Sequence, residues 1–462
     1  MGESNLSKSI CILKPVLKVK ESTFWVSFFA ACYLASLPMS GTIALRNVSL
    51  VALCVGLAWV TLRHGSSVQW PIPIMLWAAY LFLFPFISND PSIAAHSLIS
   101  QWGRGLLAML AGAGVASLLF KRTQGSAFFL GILSTVPIII HLCLFTLKAW
   151  ETSSIPWGYW GRESHHADLG YAAGQAVILL AAAFVVGNGT YRGWAAALIA
   201  ACLLSTALAN SRAGFVFAIV GGFLVFASVY VSRRTHQRRY IFSAMVGLLF
   251  SGVVFLSMAV EEDTRWPTMT SDLIAGFLGD AIQIECEGTS SIASKIVTQY
   301  GSEEEGQRVI SSVKNGDAAR VVVLRAGIAL ASKYPWGSDG SRLAYQNLLR
   351  EQCSQPVILM AHTHNGWIDT ILALGWVGGA LYLIVLIYFF VTGYTYLRSS
   401  THINEWAIVL VALAVFWILR GLVDSVFKDH MLEMQGFVLA YAAANISLQR
   451  LALVQPATKK RE

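Results

Sequence analysis

Long apolar stretches alternate with short polar ones along the chain, and the apolar stretches are long enough to cross a bilayer. A helix rises about 1.5 Å per residue, so about 20 apolar residues span the hydrocarbon core. Runs of that order lie at 24–40, 43–62, 70–88, 98–119, 126–147, 169–187, 191–210, 213–232, 240–260, 366–396, 404–423 and 431–452. They predict about twelve helices in an all-α polytopic membrane protein. One interval breaks the rhythm. Residues 261–365 open on the polar run Glu261-Glu262-Asp263 and contain helix-like stretches at Asp272–Ile284 and Ala318–Ser332. A connection that long between two spans predicts a small folded cap. The chain thus divides into nine helices over 1–260, the cap over 261–365, and three helices with a tail over 366–462.

Composition agrees with this pattern. Of 462 residues, 56% are hydrophobic and 13% charged, against about 25% charged in soluble domains. The formal charge of +8 is explained by sidedness. With the N-terminus inside, the inner segments hold Lys8, Lys14, Lys18, Lys20, Arg63, Lys121, Arg122, Arg192, Arg233, Arg234, Arg238, Arg239, Arg398, Arg450, Lys459, Lys460 and Arg461. The short outer connections hold only Arg46, Lys148, Arg162, Arg212 and Lys428. Positive charge collects on the cytoplasmic side, so both termini are expected there and the cap outside. No nucleic-acid partner is needed to account for the basic balance. The polar N-terminus shows no small-residue cleavage site, so the first helix is expected to stay as an anchor.

Three outer stretches carry candidate chemistry. In Asn210-Ser211-Arg212-Ala213-Gly214, Arg212 opens the eighth helix, either as an interfacial arginine or as a clamp for phosphate, whose oxygens its planar fork matches. In the cap, Arg320 and Arg325 precede the turn Tyr334-Pro335-Trp336-Gly337. Five residues separate them, about 140° around a helix, so both cannot face one site, and spacing alone does not choose. In His362-Thr363-His364-Asn365 two imidazoles stand at the mouth of the tenth helix, where they can move protons near neutral pH. His165 and His166 form a second outer pair, placed to line the same cavity or simply to be solvated. No further His, Cys or Glu stands at metal-ligand spacing, so neither a metal nor another cofactor is expected. Asp369, Arg420 and Asp424 lie in or near helix ends, and the last two are spaced to pair. Cys286 and Cys353 are the two cysteines of the outer loop, where a disulfide is permitted. Internal repeats and relays of buried charges are missing, which favours an enzyme over a transporter.

His364-Asn365, nine residues, Gly375, two residues, Gly378 resembles the motif of the O-antigen ligase and polymerase family. The likeness extends to the long outer loop, to Arg320 about fifteen residues ahead of Pro335-x-Gly337, and to Arg212 in Ser-Arg-x-Gly; Ser338-Asp339-Gly340 departs from the usual Gly-x-Gly. The resemblance implies a GT-C-type glycosyltransferase in the bacterial inner membrane, with its active site on the periplasmic face. Its implied donor is a glycan on undecaprenyl diphosphate and its implied acceptor lipid A-core, or another lipid-linked glycan in a polymerase. A flippase of lipid-linked sugars is the reading from another class. The resemblance selects Arg320 over Arg325. It also implies that Arg212 and Arg320 hold the diphosphate, with His364 as general base and His362 and Asn365 as accessory residues, in a metal-independent inverting transfer.

Overall fold

In a computed structural model, residues 24–39, 41–64, 70–119, 126–160, 166–187, 189–231, 238–262, 265–300, 303–353, 355–357, 360–400, 403–427 and 429–459 are described. Every regular element among them is helical. The first is α1 (Phe24–Ser36). It is followed by α2 (Ile43–His64), α3 (Ile72–Leu83), α4 (Pro91–Ser97), α5 (Gly103–Leu119), α6 (Ser126–Thr152), α7 (His166–Val186), α8 (Gly189–Leu208), α9 (Arg212–Val231) and α10 (Arg238–Glu262). The cap holds α11 (Arg265–Ala275), α12 (Ala281–Glu287), α13 (Ser290–Tyr300), α14 (Glu303–Asn315), α15 (Asp317–Lys333) and α16 (Ala344–Gln352). The chain closes with α17 (Gly366–Ser399), α18 (Glu405–Gly421) and α19 (Asp429–Lys459). Each of the twelve apolar runs coincides with one of these helices. Among the described residues, six helices are long and apolar enough to cross a membrane, including those over Asp168–Val186, Arg212–Tyr230 and Gly366–Ser399.

Small residues let the central helices approach closely, as lipid-embedded packing requires. α7, rich in alanine, is surrounded by α6, α8, α9 and α18. Its Gly170 faces Gly214 of α9, and a Cβ on either would stand 2.6 Å from the other's Cα. That contact fixes where α9 begins, and hence where Arg212 sits.

The cap is more helical than its sequence pattern suggests. Ala318–Ser332 lies within α15, but Asp272–Ile284 is not one helix. It breaks at Gly276–Gly279, where Gly279 takes a positive φ of 67° and Asp280 caps α12 by accepting from the Gln283 N–H at 2.8 Å. α14 buries Val309, Ile310 and Val313, an i, i+1, i+4 set on one helix face. Cys286 of α12 is joined to Cys353, after α16, with their Cα atoms 5.7 Å apart.

Backbone meets backbone where the cap docks on the bundle at α17. α17 kinks at Gly375 (φ 76°), freeing carbonyls at the bend. There the Trp376 N–H donates to Pro335 O at 3.0 Å, the Gly340 N–H donates to Ala373 O at 3.0 Å, and the Tyr80 hydroxyl donates to Leu374 O at 2.5 Å. A Cβ on Gly337 would meet the Gly375 nitrogen at 2.3 Å, and one on Gly375 would meet the Trp336 carbonyl carbon at 2.6 Å. The two glycines are therefore needed for backbone to touch backbone. Ser338-Asp339-Gly340 still makes a turn, with the Asp339 carboxylate accepting from the Ser341 N–H and from the Asn347 side chain.

Candidate active site where the cap meets the helices

The His-Thr-His-Asn stretch is held by its own side chains. Asn365 caps α17 by accepting from the Ile368 N–H at 3.0 Å and donates to Leu422 O at 2.8 Å. Thr363 donates to Asp369 through both its N–H (2.9 Å) and its hydroxyl (2.8 Å). The other oxygen of Asp369 accepts from the Ser425 hydroxyl. Asp369, which the sequence places in or near a helix end, is thus used to shape the loop. Between these anchors His364 adopts φ 54°, a left-handed conformation uncommon outside glycine, and such strain gathers at functional sites.

That conformation sets the His364 ring 4.4 Å from the His362 ring, centroid to centroid. Asp424, in the connection after α18, joins them: the nearest ligating atoms of His362, His364 and Asp424 lie within 4.8 Å of one another. Sequence spacing missed this third group, because it arrives from another helix end about 60 residues on. By distance the trio could hold a divalent cation. Its charge balance argues otherwise, since Arg420 already pairs with Asp424 at 3.2 Å and the Arg320 charge bears on His364.

Burial, then His362 and Arg320, push the His364 pKa from 6.5 down to about 4, against the opposing pull of Asp424 and Asp369. The imidazole is therefore neutral at pH 7 and able to accept a proton. Burial raises the Asp424 carboxyl, but Arg420, the Tyr171 hydroxyl and His364 outweigh it and hold the group below its usual value. Arg420, 1% exposed, lies between the rings of Tyr171 and Phe217, each centred 4.8 Å from its guanidinium carbon.

These groups open on a cavity of about 930 Å³ lined by Arg46, Arg104, Arg320, Arg342, His96, His362, His364 and His430, against Asp168, Asp424 and Asp429. All three acids are occupied, Asp168 by His430 at 3.3 Å, Asp429 by Arg342 at 3.5 Å and Asp424 by Arg420 at 3.2 Å. The wall is basic on balance. Its bundle residues come from the end of α4 and the turn after it, from the starts of α2, α5, α7 and α19 and from the loops beside α17 and α18. These are ends that the alternation of apolar runs places on one side.

The sequence candidates separate here. Arg320 (49% exposed side chain) lines the cavity, while Arg325 turns away to donate to Gly276 O at 3.0 Å and Gly279 O at 2.7 Å, bracing the α11–α12 turn. Arg212 is not on the cavity wall. Its guanidinium pairs with both oxygens of Asp317 at 3.1 Å, three residues before Arg320. Asn365 is buried as a helix cap. His165 lies outside the described residues, as does Asp263 of the acidic run, and the structure describes only the backbone of His166, Glu261 and Glu262. The wall residues Arg46, Arg104, Arg342, His96 and His430 were missed as candidates. Arg46 alone stood out by sequence, as one of the few outer cations.

Fold and site together define a polytopic helical membrane protein with a basic cavity, holding a neutral histidine, at the common end of its helices. Residues 195–383 match the model of a protein family described as O-antigen ligase. Arg212, Arg320, His364, Gly375 and Gly378 fall inside the match; Arg46, Arg104 and Asp424 fall outside it. A comparison with curated proteins returns no match.

Proposed function

We propose that the protein is an O-antigen ligase that moves a glycan from undecaprenyl diphosphate to lipid A-core at the periplasmic face of the bacterial inner membrane. In this reading twelve helices of a GT-C-type plan cross that membrane, with both termini in the cytoplasm. The observation that carries it is His364, neutral, strained in its backbone and standing beside Asp424 in a basic cavity. The acceptor hydroxyl oxygen attacks the anomeric carbon as its proton passes to a ring nitrogen of His364, and Asp424 stabilises the imidazolium so formed. The bond from that carbon to the diphosphate oxygen breaks with its electron pair, and the cationic wall, Arg320 included, stabilises the departing charge. One displacement inverts the anomeric centre and needs no metal. Arg212 acts one step back, holding Asp317 and so the turn of α15 that presents Arg320.

Purified protein in liposomes, given undecaprenyl-diphosphate glycan and either lipid A-core or a second lipid-linked glycan, tests this reading. Sugar should appear on lipid A-core, persist in EDTA and vanish in His364→Ala with expression unchanged. Full activity in that variant would sink the assignment of the base. Loss of transfer in EDTA would turn the histidine pair into ligands, and product only on the lipid-linked glycan would make the protein a polymerase.

A further inference from the structure

Two groups of charges that share no member reach the cavity, each through some of its residues. Those acting on His364 are His362, Arg320, Asp424 and Asp369. Those acting on Arg46 of α2 are Glu433, Arg104, Asp168 and Tyr33. The second group has no role in the proton transfer, yet both of its arginines line the same cavity.

Arg46 is 6% exposed; it gives one Nη to Leu37 O at 3.3 Å, and its Nε is buried without an acceptor. Arg104 pairs with Glu433 at 2.7 Å, and its Nε is likewise buried without an acceptor. Glu433, 1% exposed, also accepts from the Tyr33 hydroxyl at 2.6 Å. Glu433 is the carboxylate in contact with Arg104, while Asp168 is engaged by His430 at 3.3 Å; the two guanidiniums are left with idle buried donors, which is costly unless an anion completes the set. The π-helical turn Leu98–Trp102, just before Arg104, adds Ser100 and Gln101 to the wall. Such turns are frequent at functional sites.

We infer that Arg46 and Arg104 seat the lipid-side phosphate of the donor diphosphate, an assignment that rests on the glycan-transfer reading above. In a single displacement with inversion, the attacking and leaving oxygens stand on opposite faces of the anomeric carbon. His364 takes its proton on the attacking side, so the diphosphate extends away from His364, and Arg46 and Arg104 are cations of the cavity wall that are not among the groups acting on His364. A diphosphate also carries more charge than Arg320 alone can balance. The lipid end fits as well: the next turns of α2 and α5 present Val48, Val51, Leu107 and Leu110 at 41–62% exposure, an apolar surface along which a prenyl chain can run into the membrane.

The test uses the full chain in nanodiscs, without acceptor, titrated with undecaprenyl diphosphate and with undecaprenyl monophosphate. Arg46→Gln, and separately the charge-balanced pair Arg104→Gln with Glu433→Gln, should weaken diphosphate binding by about tenfold or more, the usual effect of losing a charged hydrogen bond. The preference for diphosphate over monophosphate should narrow, while His364→Ala binds as wild type does. Unchanged diphosphate affinity in Arg46→Gln, with thermal stability retained, overturns the seat. So does a variant whose only defect is a raised KM for lipid A-core, which would put an acceptor phosphate there. Wild-type protein that fails to bind undecaprenyl diphosphate overturns the donor reading itself, a separable result.

Discussion

Transfer should continue at pH values where an ordinary histidine base would already be protonated. The His364 pKa lies at about 4 instead of 6.5, and each unit corresponds to about 1.36 kcal/mol, so the site disfavours the imidazolium by about 3 kcal/mol. Because the base must be neutral to act, the acid limb of kcat/KM should track this lowered value and not 6.5. Two variants should move the limb in opposite directions. Arg320→Gln removes a cation that depresses His364, so the limb moves to higher pH even as the rate falls. Asp424→Asn removes an anion that supports the imidazolium, so the limb moves lower. The assay is initial transfer rate at limiting donor across pH 4 to 8, in proteoliposomes carrying lipid A-core. The same shift appears in stability. The unfolded chain takes up this proton first, so the stability associated with neutral His364 is complete above pH 6.5 and is lost as pH falls toward about 4. Wild-type Tm should therefore drop more steeply over that window than that of His364→Gln. A wild-type acid limb near 6.5, or both variants shifting the same way, would refute the reasoning.

Other perturbations test the frame around the base. Gly375→Ala forces a side chain into a positive-φ position and sets a Cβ 2.6 Å from backbone; strain alone costs about 1–2 kcal/mol, so a lower Tm and a large loss of transfer are expected, and near-wild-type values would contradict the docking role. Arg212→Met leaves Asp317 without its partner at 3.1 Å and should cost about 3 kcal/mol or less. If Arg212 acts through Asp317, adding Asp317→Asn should make transfer no worse, whereas a further loss would show that Arg212 touches substrate. Cys353→Ser opens a loop of 67 residues, for which chain entropy predicts up to about 4 kcal/mol; hydrogen exchange should rise in α12 and α16 and stay unchanged in α7.

Much of the architecture was legible along the chain because lipid imposes one strong rule: backbone groups must be satisfied within a helix, and the side chains must be apolar. The twelve runs, the interruption by a cap and the mouth position of His364 all follow from that rule. The cap was less legible. Its helices bury narrower faces, and Gly276 and Gly279 broke a stretch whose periodicity read as continuous. The Pro335-x-Gly337 and Gly375-x-x-Gly378 patterns were visible as separate signals. Their meaning, two backbones in contact, appears only when α17 kinks against the cap.

The sequence by itself determined that the protein is a helical membrane protein and that a histidine stands where cap and helix meet. Tertiary structure decided what surrounds that histidine. It brought Asp424 from the end of α18 to the two imidazoles, put Arg320 on the wall and Arg325 on a turn, withdrew Arg212 to Asp317, and gathered Arg46 and Arg104 from α2 and α5 into the same cavity. The reason is geometric. A helix constrains neighbours three and four residues apart, whereas these groups are tens to hundreds of residues apart and meet only because small residues such as Gly170 and Gly214 let the helices pack at one close distance.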